Sequence, residues 1–159
     1  MIFDAGTTTT EIARHLTARR NLTAITNALN IAKIPGAVPG HAAHMPGGQF
    51  KAATLSLSGD KSVEYFRNFY GGSLFLATTG VSLDTGLTYP GFADLQLKKA
   101  MIKAANHTCL VADSTKINRS WFTRLGALEV IQRFITDDGI SDTDARAFAA
   151  RGIRVPVAI

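Results

Sequence analysis

A chain of 159 residues with 46% hydrophobic and 18% charged residues is long enough to bury one core of its own and too apolar to be disordered. Its net charge of +5 is unevenly spread: Lys98 to Arg133 holds seven bases against two acids, which accounts for the whole surplus. That local charge suits a nucleic acid or a small phosphorylated ligand, and the absence of a recognition helix, aromatic platform or zinc-ligand set beside it favours the ligand.

In chain order, Met1-Ile2-Phe3 reads as a strand, followed by Asp4-Ala5-Gly6-Thr7-Thr8-Thr9-Thr10-Glu11 and then the helical pattern Ile12, Ala13, Leu16. A strand feeding a helix N-terminus presents unpaired N–H groups and the positive end of the helix dipole, which favour an anion. Gly6 lets the backbone approach closely, and Thr7, Thr8 and Thr9 add hydroxyl donors, so the turn reads as a phosphate cradle. The alternative is helix capping, with Thr8 and Glu11 forming a capping box. The turn matches neither G-x-x-x-x-G-K-[ST] nor G-x-G-x-x-G, so no nucleotide cofactor is expected.

Leu22 to Thr26 predicts a second strand and Asn27 to Lys33 a short helix stopped by Pro35-Gly36. From Pro35 to Pro46, leading into Gly47-Gly48, the chain reads as mostly loop with a short strand at His41 to Met45. His41 and His44 have no second pair of ligands after them, so no metal site is expected. Gly59 to Phe69 predicts an amphipathic helix carrying Val63, Phe66 and Phe69. Ser73 to Ala77, ending in Thr78-Thr79-Gly80, has the continuous apolar character of a buried parallel strand. Val81 to Thr88 reads as irregular loop, Asp94 to Ala105 as a helix, and His107 to Ala112 as another buried strand ending in Asp113-Ser114-Thr115-Lys116. The single cysteine, Cys109, sits in that strand beside Leu110 and Val111 and reads as a buried thiol. Arg133 to Thr136 is the last predicted strand, followed by Asp137-Asp138-Gly139, a helix near Asp142 to Arg151 and an apolar end at Val155 to Ile159.

Strands alternating with helices predict an α/β fold with an open, mostly parallel, Rossmann-like sheet and helices on both faces. Five polar clusters then follow apolar strands: Asp4 to Thr7, Thr26-Asn27, Thr78 to Gly80, Asp113 to Lys116, and Thr136-Asp137. Ligands of open α/β sheets bind beyond the carboxyl ends of the strands, so these loops are expected to line one pocket. No apolar run approaches the roughly 20 residues of a membrane span, and no secretory signal opens the chain. The expectation is a cytoplasmic protein with no membrane partner.

Asp4-Ala5-Gly6-Thr7-Thr8-Thr9, Leu22 to Asn27, Gly47-Gly48, Gly80-Val81-Ser82, Gly86-Leu87-Thr88, Lys98-Lys99-Ala100-Met101, Asp113 to Lys116 and Ile135-Thr136-Asp137 together resemble the C-terminal sensor domain of DeoR-type transcriptional regulators, in order from Asp4 to about Val155. The resemblance implies one effector-sensing domain over residues 1–159. It also implies a fold like that of ribose-5-phosphate isomerases, glucosamine-6-phosphate deaminases and CoA-transferases, a phosphorylated sugar or polyol as effector, no catalysis, and a homodimer or tetramer. Asp94-Leu95-Gln96 departs from the Glu-Ala common in the family. The winged helix-turn-helix that precedes such sensors is absent from the sequence, so DNA is an expected partner only through that missing domain.

Residue chemistry divides the expected work. Gly6, Thr7, Thr8 and Thr9 hold phosphate oxygens, and Lys98 and Lys116 add point charges. Asp4, Asn27, Asp113 and Asp137 hydrogen-bond sugar hydroxyls, while Gly48 and Gly80 admit the ligand close to the backbone. The rival class is a sugar-phosphate isomerase or deaminase using Asp113, Lys116 or Asp84 as acid and base, but the paired acidic loop such enzymes carry is missing.

Overall fold

A computed structural model describes residues 1–158. Seven parallel strands form the main sheet: β1 (Ile2–Phe3), β2 (Thr23–Thr26), β3 (Ala42–His44), β6 (Ser73–Ala77), β9 (His107–Val111), β11 (Arg133–Asp137) and β12 (Val157–Ala158). Their order across the sheet is β12-β11-β9-β6-β1-β2-β3. β4 (Gln49–Lys51) and β5 (Ser56–Ser58) make a small antiparallel hairpin, and β7 (Gly80–Ser82), β8 (Gly86–Tyr89) and β10 (Thr123–Gly126) make a three-stranded antiparallel sheet. The helices are α1 (Thr7–His15), α2 (Leu29–Gly36), α3 (Asp60–Arg67), α4 (Leu95–Ala104) and α5 (Asp142–Ala150). The sheet is therefore the open parallel α/β architecture that the alternation predicts.

Because successive strand residues point to opposite faces, β1 and β6 feed two cores. Ile2, Leu74 and Leu76 join Phe66 of α3, Leu97 and Met101 of α4 and Phe148 of α5, whereas Phe3 and Phe75 join Ala13 of α1 and Ile31 of α2. Aromatic pairs pin both layers: Phe3 stacks on Phe75 at 5.3 Å, and Phe134 meets Phe148 edge-on at 5.2 Å. Cys109 is buried in β9, and burial pushes its thiol up to about 11, consistent with an inert packing role.

Three local expectations are corrected. The Val81 to Thr88 segment is not irregular: it forms β7, a turn and most of β8, because Gly86 takes φ +73° and a side chain there would collide with the Gly126 carbonyl of β10. α2 runs through Pro35 instead of stopping before it, since a proline in the last turn forfeits only the bond to the carbonyl of Ile31. Thr8 does not cap α1 with Glu11: Gly6 is the N-cap residue, Thr8 lies inside the first turn, and Glu11 pairs with Arg14 at 3.3 Å. Met1 to Phe3 forms the strand expected of it, and β1 lies inside the sheet, hydrogen-bonded on both sides, to β2 and β6. Among the described residues, the edge strands of the main sheet are β3 and β12.

Candidate functional site

From β1 the chain steps to β2 on one side, and only later returns to place β6 on the other. The carboxyl ends of β1 and β6 are thus the topological switch point, where an open sheet leaves a crevice. A cavity of about 770 Å³ opens there, bordered by the turn after β1, Asn27 and Asn30 before and in α2, Ala53 to Ser56 of the β4–β5 hairpin, Ala77 to Thr79 after β6, Tyr89 to Asp94, and Asp113 with Lys116 after β9.

The turn after β1 is held from behind. The Asp4 side chain is 2% exposed and its carboxylate accepts from the amides of Ala5 (2.9 Å) and Ala77 (3.1 Å) and from the ammonium of Lys98. Lys98, one turn into α4, also lies over the Tyr89 ring, 5.0 Å from its centroid. The Tyr89 hydroxyl donates to the Ala77 carbonyl at 2.5 Å, and burial followed by the nearby Asp4 carboxylate pushes its pKa well above the ordinary phenol range. β1, β6, β8 and α4 therefore converge on one buried carboxylate. Gly6 fits closely at the same place, since a Cβ there would stand 2.9 Å from that of Ala77.

In front of this support the first turn of α1 is open. No side chain caps it and no acidic residue lies in it, so its leading N–H groups keep their capacity for an acceptor. Thr7 and Thr8 are exposed along the cavity, whereas Thr9 is fully buried and turns its hydroxyl inward, toward the carbonyls of Asp4 (2.8 Å) and Gly6 (2.9 Å). Thr10 donates to the Gly6 carbonyl at 2.6 Å and accepts from Asn30 Nδ2 at 2.8 Å, which ties α2 to the cradle.

Of the residues singled out in the sequence, Asp4, Gly6, Thr7, Thr8, Asn27, Lys98, Asp113 and Lys116 border the cavity. Thr9, Gly48, Gly80 and Asp137 do not. Thr9 is spent on backbone carbonyls. The close approaches at Gly48 and Gly80 are made by the protein itself, through the carbonyls of Ser58 and Arg119. Asp137 accepts from the amides of Ser114 and Gly139, each at 2.9 Å, and bonds from Ser114 hold its carboxyl below the usual range. It joins the β9 and β11 loops. Asp113 borders the cavity while its carboxylate accepts from the Thr115 amide at 3.0 Å and from the Thr115 hydroxyl. Sequence reasoning missed Asn30, Tyr89 and the β4–β5 hairpin, which is linked to the start of α4 by Lys51 and Asp94 at 2.8 Å. Only Tyr89 had a signal, as the aromatic that ends the Gly86-Leu87-Thr88 stretch. His41 Nε2 bonds the Arg19 carbonyl at 2.8 Å, and no group of three or more His, Cys, Asp or Glu able to hold a metal occurs among the described residues. Among those residues, no helix is long and apolar enough to cross a membrane.

Fold and cavity define an α/β protein that offers an anion-receptive helix end at the switch point of its sheet. Residues 1–138 match the family described as the DeoR C terminal sensor domain, and the chain belongs to that family. It is 33% identical over 146 residues to the HTH-type transcriptional regulator GlpR of Haloferax volcanii, covering 92% of this chain and 56% of that protein. It is 29% identical over 140 residues to the transcriptional repressor AccR of Agrobacterium fabrum, covering 87% and 54%. It is also 24% identical over 137 residues to the glycerol-3-phosphate regulon repressor of Escherichia coli K12, covering 86% and 54%. The chain thus spans little more than half the length of these relatives.

Proposed function

We propose that residues 1–159 form the effector-sensing unit of a DeoR-type transcriptional regulator and that the effector is a phosphorylated sugar or polyol. The observation that carries this reading is the uncapped, acid-free first turn of α1, with Thr7 and Thr8 exposed along a cavity at the sheet's switch point. Phosphate oxygens accept from the Gly6, Thr7 and Thr8 amides and from the two threonine hydroxyls. Lys116 supplies a point charge, and Lys98 keeps ammonium protons beyond the one it gives to Asp4. Asn27 and Asp113 face the hydroxyl-bearing part of the ligand, and Asp4 acts through Lys98 and the Ala5 and Ala77 amides as the support of the cradle. The names of the relatives, one of them a repressor of a glycerol-3-phosphate regulon, agree with a sensor and not an enzyme.

A thermal-shift panel of sugar and polyol phosphates, each beside its unphosphorylated parent, tests the reading. A matching phosphate at 100 times its dissociation constant stabilises the domain by about 2.7 kcal/mol, and its parent leaves the transition in place. Equal shifts from both members of every pair contradict it, and turnover of a phosphate in the same mixtures transfers the site to the isomerase or deaminase class. The assembly expected is a homodimer or tetramer, and light scattering that finds only a 17.0 kDa species at micromolar concentration opposes it.

A further inference from the structure

Of the seven bases between Lys98 and Arg133 that hold the charge surplus of the sequence, only Lys98 and Lys116 border the cavity. The fold sends others to the opposite, amino end of the main sheet. Arg133 opens β11, and Arg154 lies beside it as its bridge partner on the segment that leads into β12, so the two arginines border one hollow. Arg19 and Arg20 precede β2, while Arg67 and Lys103, at the ends of α3 and α4, border one groove. All six are exposed, and none belongs to an ion pair among the described residues, whose pairs are Arg14–Glu11, Lys51–Asp94 and Lys98–Asp4. Most acids stand at the other end: Asp4, Asp113 and Asp137 lie at or just beyond the carboxyl ends of strands, and Asp60, Asp94 and Asp142 start helices that run back from there. The acids of the amino end are Glu64, one turn before Arg67, and Glu129, just before β11.

Helix dipoles account for Arg67 and Lys103, since the carbonyl end of a helix favours a cation. They do not account for Arg20, Arg133 and Arg154, which end no helix, and like charges set side by side on neighbouring strands repel unless an anion lies between them. Arginine predominates here, and its planar guanidinium takes phosphate oxygens in pairs. Among the described residues, Tyr70 is the one large exposed apolar side chain at this end; Phe92, Trp121 and Phe122 stand beside β8 and β10, and Phe50 and Leu55 on the β4–β5 hairpin. The amino end therefore lacks the apolar centre of a protein interface and has the polar, positive character of a nucleic-acid one. β2 and β11 are four strand spacings apart in the sheet, about 19 Å. The Arg19–Arg20 and Arg133–Arg154 clusters are thus set wider than a major groove of about 12 Å and reach phosphates on both of its walls. We propose that the amino end of the sheet docks on the phosphate backbone of duplex DNA without reading its sequence. This goes beyond the effector reading and needs no part of it.

The test is fluorescence anisotropy of the 159-residue chain with a labelled duplex of arbitrary sequence, between about 50 and 200 mM salt. Four arginines on four phosphates predict a dissociation constant of about 1–100 μM near physiological salt, and a logarithm of affinity that falls with the logarithm of salt at a slope of about −3.6. Arg133→Gln with Arg154→Gln, and separately Arg19→Gln with Arg20→Gln, should each reduce the size of that slope by about 2. All four side chains are exposed, so the melting temperature should hold. Arg119→Gln with Arg124→Gln removes the same charge beside the three-stranded sheet and should leave the slope as it is. No binding at the lowest salt overturns the proposal, as does a slope reduced equally by all three pairs, which marks a response to net charge alone. Polyglutamate that displaces the duplex with equal affinity per charge overturns the choice of DNA as the partner. None of these outcomes bears on the sugar-phosphate panel, which reads the opposite end of the sheet.

Discussion

Two helices of this domain start in the same situation and finish differently. α1 follows β1, and α5 follows β11, both from the carboxyl end of a parallel strand in one sheet. At α5 the first turn is closed: the Ser141 hydroxyl accepts from the Asp144 amide at 3.0 Å, and Asp142 and Asp144 place negative charge against the helix dipole. At α1 the N-cap is Gly6, no side chain closes the turn, and no acid lies in it. The backbone offers the same anion-receptive end in both, and the side chains decide whether the protein fills it or leaves it for a ligand.

The largest expected effect breaks the support that keeps α1 open. Lys98→Met strips a buried carboxylate of its cation, and although the Ala5 and Ala77 amides remain, stability should fall by about 3 kcal/mol in chemical denaturation. A loss below about 1 kcal/mol would show that Asp4 is adequately held by the two amides. Next, Thr7→Ala should weaken binding of a stabilising sugar phosphate by about 1.5–3 kcal/mol in calorimetry and leave the melting temperature of the free domain unchanged. The neighbouring position should behave in the opposite way. Thr9→Val keeps the shape but removes the inward hydroxyl, so it should cost about 1–2 kcal/mol of stability with ligand affinity retained, and a loss confined to affinity would show that Thr9 belongs to the cradle. Ser141→Ala, at the closed helix, should cost about 1 kcal/mol of stability and nothing in binding.

The main sheet and its ligand end were legible in the sequence. Continuous apolar runs such as Leu74 to Ala77 and Thr108 to Ala112 announce buried parallel strands, and the polar residues after them mark the ligand end of the sheet. β7, β8 and β10 are not visible, because three or four residues of Gly, Ser and Thr mixed with apolar ones set up no clear alternation, and the third strand, β10, joins the β7–β8 hairpin from far along the chain. Within the threonine run, composition makes Thr7, Thr8 and Thr9 equivalent, whereas helical spacing does not: Thr9 and Ala13 are one turn apart and both buried. The Asp4–Lys98 pair spans 94 residues, and the Asn27 bond to the Leu57 carbonyl depends on where β5 passes. Neither has a local signal.

The difference between the two helix starts can be erased at one position. Thr8→Asp gives α1 the acidic first turn that α5 already has, which the helix dipole tolerates or favours by about 0.3–1 kcal/mol. Calorimetry with the sugar phosphate that most stabilises the unaltered domain, together with a denaturation curve of the free variant, is the direct measurement. The account predicts unchanged or raised stability with binding of the phosphate lost. Retention of full affinity beside the new carboxylate would contradict it, because an anion cannot share the first turn of α1 with a second negative charge at no cost.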